Sequence, residues 1–463
     1  MVTNYILLLI LVTMLKETNA QLPCPLPAEI IFSGAENAVV PPTYFLLYTR
    51  NNPEYPQNLT FTNCAGNTNY NPNKKTVIML HGYQGNPNGE EIVFLKSAYL
   101  HYEDCNVIFV DWSIAAAASF FPDAIRNTLI TGKYVAEQLE NWKENCKEIN
   151  FNKFHVIGFS LGGQTVGFIG KYTKTEKIGR ITALDVAGIC FVKFPPKYKL
   201  YYTDGKFVDV ITGSAFTQVI MDQPTGHVHF KPDGGLIGRG CADKLLNLKI
   251  ESVITCSHSR PVYLFASSLY SECLAVGYRC ADYETFSRGE CSECGKNGEQ
   301  CAAMGIHSEK YADKIINGTV TMYLPTTFTD DYCLYQYHVE VKLSSGPDST
   351  TEVGKLILII NGRIVKVLNK VQHLQSITES FQPEEKKQYL ITTTHNISPI
   401  MKVQFYWYTA SPRKDNKLYV QCIKIVPMNN LETNRSSLTT YGTTNGEPIS
   451  PGNIILLALN SSC

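Results

Sequence analysis

Ser160 stands in Gly158-Phe159-Ser160-Leu161-Gly162, at the end of the apolar run "FHVIGF" and ahead of a helical pattern. A serine hydroxyl attacks a carbonyl only when its surroundings activate it. A sharp strand-to-helix turn would do this. It holds the serine in a backbone conformation that only small neighbours tolerate, lifts the hydroxyl above a sheet, and aims a helix N-terminus at a developing oxyanion. The other reading is a plain glycine-rich turn. G-x-S-x-G is common by chance, and its context is the test: a strand must precede it and a helix must follow. Both patterns are present, so Ser160 is read as a nucleophile.

A nucleophilic serine needs a base and an acid that orients the base, in the chain order Ser, Asp or Glu, His for this kind of turn. Asp185 closes the next strand-like run, "RITALDVAG", and so falls on the same sheet edge as Ser160. Asp209 competes but sits inside "FVDVI", in mid-strand. His258, in "CSHSRPVYLF", is read as lying in a loop that leads into a helical stretch. Of the rival histidines, His227 and His229 alternate along a strand-like "GHVHF" and read as structural. His307 lies further on, and His338 falls in a remote all-β region. The expected triad is Ser160, Asp185 and His258. An oxyanion hole needs two N–H donors: Leu161, next to the serine, and Tyr83, in "IMLHGYQG" directly after a strand, where Gly82 permits a tight backbone.

These residues need a scaffold. The runs 76–80, 106–110, 154–159, 180–185 and 207–211 read as buried strands, and residues 124–142 read as an amphipathic helix. Strands interleaved with helices predict a mainly parallel α/β sheet. Residues 270–305 carry Cys273, Cys280, Cys291, Cys294 and Cys301 and read as a stapled, loop-rich extension. Later segments such as "YHVEVKL", "KLILIING", "MKVQFYWYT" and "KLYVQCIKIV" alternate like strands of an all-β sandwich. In Phe405-Tyr406-Trp407-Tyr408 that alternation sends about half the rings to the core. The expected division is a signal peptide at 1–20, a catalytic α/β domain at 21–328 and a sandwich at 329–463.

A chain of 463 residues with 15 cysteines, opening on the apolar run Tyr5–Leu15 and a small-residue Thr18-Asn19-Ala20 site, reads as secreted and disulfide-bonded. A membrane anchor is the alternative, but the apolar stretch is too short to span comfortably. The sequons at Asn58, Asn317, Asn396, Asn434 and Asn460 fit the same compartment. The odd cysteine count leaves at least one thiol unpaired or intermolecular. Lys and Arg (41) balance Asp and Glu (41), which argues against a nucleic-acid partner. No strong Lys/Arg cluster marks the sandwich for a heparin-type partner.

In this order, "MLHGY", "VIGFSLGG", "ITALDVAG", "FVDVI", "GHVHFKPDGG" and "CSHSR", followed by the cysteine block 280–301, resemble the pancreatic lipase family of secreted lipases. The resemblance covers nearly the whole mature chain. It implies an α/β-hydrolase fold with a C-terminal PLAT-type sandwich, and ester hydrolysis by Ser160, Asp185 and His258 with Tyr83 and Leu161 as oxyanion donors. It also implies disulfides Cys280–Cys291, Cys294–Cys301 and Cys422–Cys463, and a lid closed by Cys241–Cys256. Cys24, Cys64, Cys105, Cys146, Cys190, Cys273 and Cys333 stay unassigned. The implied partners are phospholipid or acylglycerol aggregates and membrane surfaces; the sequence names no protein cofactor for the sandwich.

Three departures from the family pattern matter. The lid, with apolar Leu245, Leu246, Leu248, Ile250, Val253 and Ile254, is clearly shorter than in classical pancreatic lipases, and residues 212–225 also look shortened. Both features resemble the phospholipase A1 members acting on phosphatidylserine or phosphatidic acid, because a short lid leaves the serine open to a bulky headgroup. The expected activity is therefore phospholipase A1, with triacylglycerol lipase or galactolipase as the alternative. A non-catalytic lipid-binding relative is less favoured, since all three triad residues are present. Where the family has a calcium site, "FPPKYKLYYTDGKF" keeps only Asp204 as a ligand. Calcium needs several oxygen ligands, so neither metal nor cofactor is expected. Finally, the family's usual His-Thr-Asp after "VDVI" is replaced by Thr212-Gly213-Ser214.

Overall fold

A computed structural model describes residues 24, 26–61, 69–214, 225–241, 250–314, 318–329, 331–361, 363–366, 379–410 and 416–463. The chain forms two compact units. One comprises residues up to Glu272, Ala303–Met322 and Phe328–Tyr332; the other comprises Cys273–Ala302, Tyr323–Thr327 and Cys333–Cys463. The division is thus not a single cut at 328/329. The cysteine-rich segment belongs with the C-terminal unit for a local reason. Cys273 is disulfide-bonded to Cys333. Buried Arg435 donates to the Ser292 carbonyl (2.7 Å) and the Tyr278 hydroxyl (2.8 Å).

In the first unit the strands are β1 (Tyr44–Tyr48), β2 (Gln57–Asn58), β3 (Thr76–Leu80), β4 (Asn106–Asp111), β5 (Phe154–Phe159), β6 (Arg180–Leu184), β7 (Phe207–Ile211) and β8 (Val228–Pro232). They pair in the order β8-β7-β6-β5-β3-β4-β1-β2. From β4 to β8 the pairing is parallel, and β1 and β2 run antiparallel at one edge. Continuous apolar runs follow from this: every residue of β3, β6 and β7 is buried, because helices cover both faces. Each fully buried Val, Leu or Ile contributes roughly 1.5–3 kcal/mol.

Four helices matter for the site: α1 (Glu90–Tyr102), α2 (Phe121–Asn145), α3 (Leu161–Tyr172) and α4 (Ile250–Ser267). α1 packs on α4, and α2 on α3. α2 exceeds the predicted 124–142 at both ends. Pro122 presets its first turn, Asp123 sits at the positive end of the dipole and Lys143 at the negative end. It buries Val135, Leu139 and Trp142 in the main core. β3 is flanked by β4 on one side and β5 on the other, so the chain reverses its winding there. The crevice at the carboxyl ends of β3 and β5 is where such sheets hold ligands.

The second unit carries two antiparallel sheets. One orders Lys386–Thr393, Tyr335–Leu343, Val420–Pro427, Thr440–Thr443 and Ala458–Asn460; the other orders Arg363–Lys366, Glu352–Ile360, Val403–Thr409 and Ile454–Leu456. They share a core in which Tyr337, Val339 and Val341 meet Leu356, Leu358, Phe405 and Trp407. Phe405 and Trp407 point inward, while Tyr408 on the alternate face is 56% exposed.

The described cysteines form the pairs Cys24–Cys190, Cys241–Cys256, Cys273–Cys333, Cys280–Cys291, Cys294–Cys301 and Cys422–Cys463. Cys146 is also disulfide-bonded. Cys105 is a free, buried thiol whose pKa burial pushes up to about 12. Asn58, Asn396, Asn434 and Asn460 are exposed. Cys64, Asn317, the 1–20 segment and lid residues Leu245, Leu246 and Leu248 lie outside the described residues, as does the Ile250 side chain.

Candidate active site

Ser160 links β5 to α3 with φ 56° and ψ −120°, a conformation rare for a residue with a side chain. Its N–H donates to the Leu184 carbonyl and its carbonyl accepts from Ala187, both at 3.0 Å, so the strained turn is held from both sides. The flanking glycines are there for space. A Cβ on Gly158 would lie 2.3 Å from the Gly162 carbonyl oxygen, and one on Gly162 would lie 2.5 Å from the His81 oxygen. Gln164, buried in α3, ties the following loop down: its amide donates to Ala187 (2.6 Å) and accepts from Leu200 N–H (2.8 Å).

The loop after β3 passes directly beside the serine. A Cβ on Gly82 would sit 2.6 Å from Ser160 Cβ. His81 anchors this loop. Its ring stacks on Phe109 and Trp112, and its carbonyl accepts from Trp112 Nε1 at 3.1 Å. Tyr83 is braced through its hydroxyl, which donates to Ala118 O (3.2 Å). Among the described residues, neither Tyr83 N–H nor Leu161 N–H makes a turn or loop bond to another backbone group.

Asp185 follows β6, is fully buried and has φ 44°. Its Oδ2 lies 2.5 Å from His258 Nδ1. Gly213 N–H (2.8 Å) and Ser214 N–H (3.3 Å) donate to Oδ1, and the Ser214 hydroxyl (2.7 Å) to Oδ2. His258 is not in a loop before a helix: it lies inside α4. Pro261 makes that helix look interrupted in sequence. Lacking an N–H, it leaves the Ser257 carbonyl without its helical donor, and Gly213 packs there; a Cβ on Gly213 would fall 2.7 Å from Pro261 and 2.9 Å from Ser257 O. The Phe159 ring lies 4.7 Å from the His258 ring, and Ser259 donates to Glu91 of α1 at 2.6 Å.

The rival residues are spent elsewhere. Asp209 pairs with buried Arg180 (3.0 and 2.9 Å) and accepts from Thr182 (2.7 Å). His227 Nδ1 accepts the Val208 N–H at 3.0 Å, and His229 Nε2 bonds the Thr212 hydroxyl at 2.6 Å. Burial holds the His229 pKa down at about 3. The sequence marks Thr212-Gly213-Ser214 as a departure but assigns it no role; the contacts of Gly213 and Ser214 with Asp185 and the Thr212–His229 brace were missed. Their position was the available signal: they directly follow the strand beside β6, so they reach the same edge as Asp185.

Cys241 and Cys256 are joined, with Val253 packed under the bridge and Ile254 39% exposed. The residues around Asp204 do not fit a calcium ion. Both its carboxylate oxygens bind Lys171 Nζ, and Oδ2 also accepts the Tyr201 N–H at 2.8 Å. Among the described residues no three His, Cys, Asp or Glu side chains converge as a metal site would require. No described helix is long and apolar enough to cross a membrane.

The chain is similar to known lipases. A profile of the Lipase family matches residues 29–332. Lipase member H of Xenopus tropicalis is 29% identical over 86% of this chain and 85% of its own length. Pancreatic lipase-related protein 2 of Myocastor coypus is 29% identical over 79% of each chain. Lipoprotein lipase of Gallus gallus is 29% identical over 73% of this chain and 70% of its own.

Proposed function

The chain belongs to the Lipase family, a family of carboxylic ester hydrolases, and on that premise we propose that it is a serine hydrolase of lipid aggregates: a secreted phospholipase A1 releasing the sn-1 acyl chain. The observation that carries the reading is the His258 Nδ1–Asp185 Oδ2 contact of 2.5 Å on the sheet edge where Ser160 makes its strained turn.

In this reading the Asp185 contact fixes the His258 tautomer, with the proton on Nδ1, so Nε2 is free to act as the base. Nε2 takes the hydroxyl proton as Ser160 Oγ attacks the acyl carbonyl carbon, and the carbonyl π pair moves onto oxygen. Tyr83 and Leu161 N–H groups hold that oxyanion. The intermediate collapses, the alcohol leaves with the proton from His258, and water repeats the attack on the acyl-enzyme to release the fatty acid.

Preference for phospholipids rests on the short loop between Cys241 and Cys256, 15 positions apart. A small flap covers less of the cleft mouth and leaves room for a polar headgroup. The disulfides and exposed sequons fit secretion, with residues 1–20 as the signal.

The test is hydrolysis of phosphatidylcholine, phosphatidylserine and triolein dispersions by wild type and Ser160→Ala, with positional analysis of the released chain. The expected result is sn-1 release from phospholipid, abolished in Ser160→Ala. Triolein turnover without phospholipid turnover overturns the phospholipase preference. No turnover of any lipid overturns the enzyme reading in favour of a non-catalytic lipid binder.

A further inference from the structure

We propose that Ser214 is a positioning residue for Asp185, supplied by the tripeptide Thr212-Gly213-Ser214; the inference rests on the triad reading above. Asp185 is fully buried, where an ionised carboxylate must be satisfied by donors. Apart from His258, the donors described around it come from residues 213 and 214. Gly213 N–H and Ser214 N–H reach Oδ1 at 2.8 and 3.3 Å, and Ser214 Oγ reaches Oδ2 at 2.7 Å. The hydroxyl therefore shares Oδ2 with His258 Nδ1, which is 2.5 Å away.

The tripeptide is itself rigidly placed. Thr212 N–H donates to Phe230 O at 3.0 Å, and its hydroxyl bonds His229 Nε2 at 2.6 Å. On its other side Gly213 lies against Pro261 and the Ser257 carbonyl of α4, the helix that carries His258. One short loop thus contacts the acid directly and the helix of the base by packing. A side chain at position 213 would push α4 away from Asp185.

Two consequences separate a positioning hydroxyl from simple packing. First, the hydroxyl fixes the rotation of the carboxylate, so that Oδ2 faces Nδ1. Second, it draws charge from the oxygen that His258 uses. Without it, Oδ2 is a stronger partner for the imidazolium, and the acid limb of activity moves upward. Of the other ionisable groups packed here, Glu91 of α1 accepts the Ser259 hydroxyl, Arg260 follows on α4 and His229 of β8 binds Thr212. A change at position 214 leaves all three in the protein, so a moved acid limb reports the lost hydroxyl.

The experiment measures kcat, KM and the pH profile of kcat/KM on a soluble short-chain ester, which removes interface effects. Ser214→Ala is expected to lower kcat about tenfold with KM near wild type, and to move the acid limb upward by about half a pH unit. Ser214→Thr, which keeps a hydroxyl, is expected to recover most of both. In an Asp185→Asn background Ser214→Ala is expected to cost nothing further. If Ser214→Ala is obtained only unfolded, Ser214→Gly makes the same comparison. A hydroxyl-free variant with wild-type kcat and acid limb overturns the proposal, even if its Tm falls, and so does additivity with Asp185→Asn. The triad reading fails separately, by Ser160→Ala or Asp185→Asn retaining wild-type activity.

Discussion

Lys171 Nζ lies 2.5 Å from each carboxylate oxygen of Asp204, at the far end of the helix that begins at Ser160. The ammonium occupies the carboxylate as a divalent ion would, and it ties the loop before β7 to α3 without a metal. Chelation of calcium is therefore expected to leave Tm and ester hydrolysis unchanged. Lys171→Ala is expected to cost about 3 kcal/mol, because Asp204 stays buried and loses its counter-charge. Pairing Lys171→Met with Asp204→Asn should return much of that loss. Calorimetry with and without chelator decides it: a Tm that drops on chelation sinks the argument.

Gly82 offers a sharper probe of the proposed oxyanion loop. A Cβ there would fall 2.6 Å from Ser160 Cβ and 3.1 Å from Oγ, so loop or serine must shift in Gly82→Ala. Displacing the Tyr83 N–H by even a fraction of an ångström weakens the bond to the oxyanion. The expected loss in kcat is on the order of 10²–10³, with an unchanged far-ultraviolet dichroism spectrum. A variant that folds and turns over near the wild-type rate would remove Tyr83 from the site.

Much of this fold could be read directly from the sequence, for a physical reason. Strands buried on both faces are unbroken apolar runs, so β3, β5 and β7 were visible to the residue. Ser160 and Asp185 directly follow the ends of β5 and β6. What could not be read was tertiary. His258 lies inside a helix that runs on through Pro261, with Gly213, remote in sequence, packed against that proline. The role of Ser214 appears only once β7 is known to lie beside β6. Arg435 draws the segment after Cys273 into the second unit across more than a hundred positions, and no local pattern announces a contact of that range.

Acid stability follows from the buried histidines. His338, 4% exposed on the strand Tyr335–Leu343, has no hydrogen-bond partner at either ring nitrogen among the described residues, and burial lowers its pKa to about 4. His229 is lowered to about 3 and His155 well below the usual value, both chiefly by burial. Each binds a proton more readily unfolded than folded, so each contributes stability that is complete above about pH 6.5 and is lost as pH falls towards the folded values. For His338 alone the loss is roughly 3 kcal/mol by pH 4. His338→Leu removes the titrating group and abandons no hydrogen bond. Its Tm is therefore expected to fall less than wild type between pH 7.5 and 4.5, with the two proteins diverging below pH 6. Parallel Tm–pH curves would show that His338 does not carry this part of the acid sensitivity.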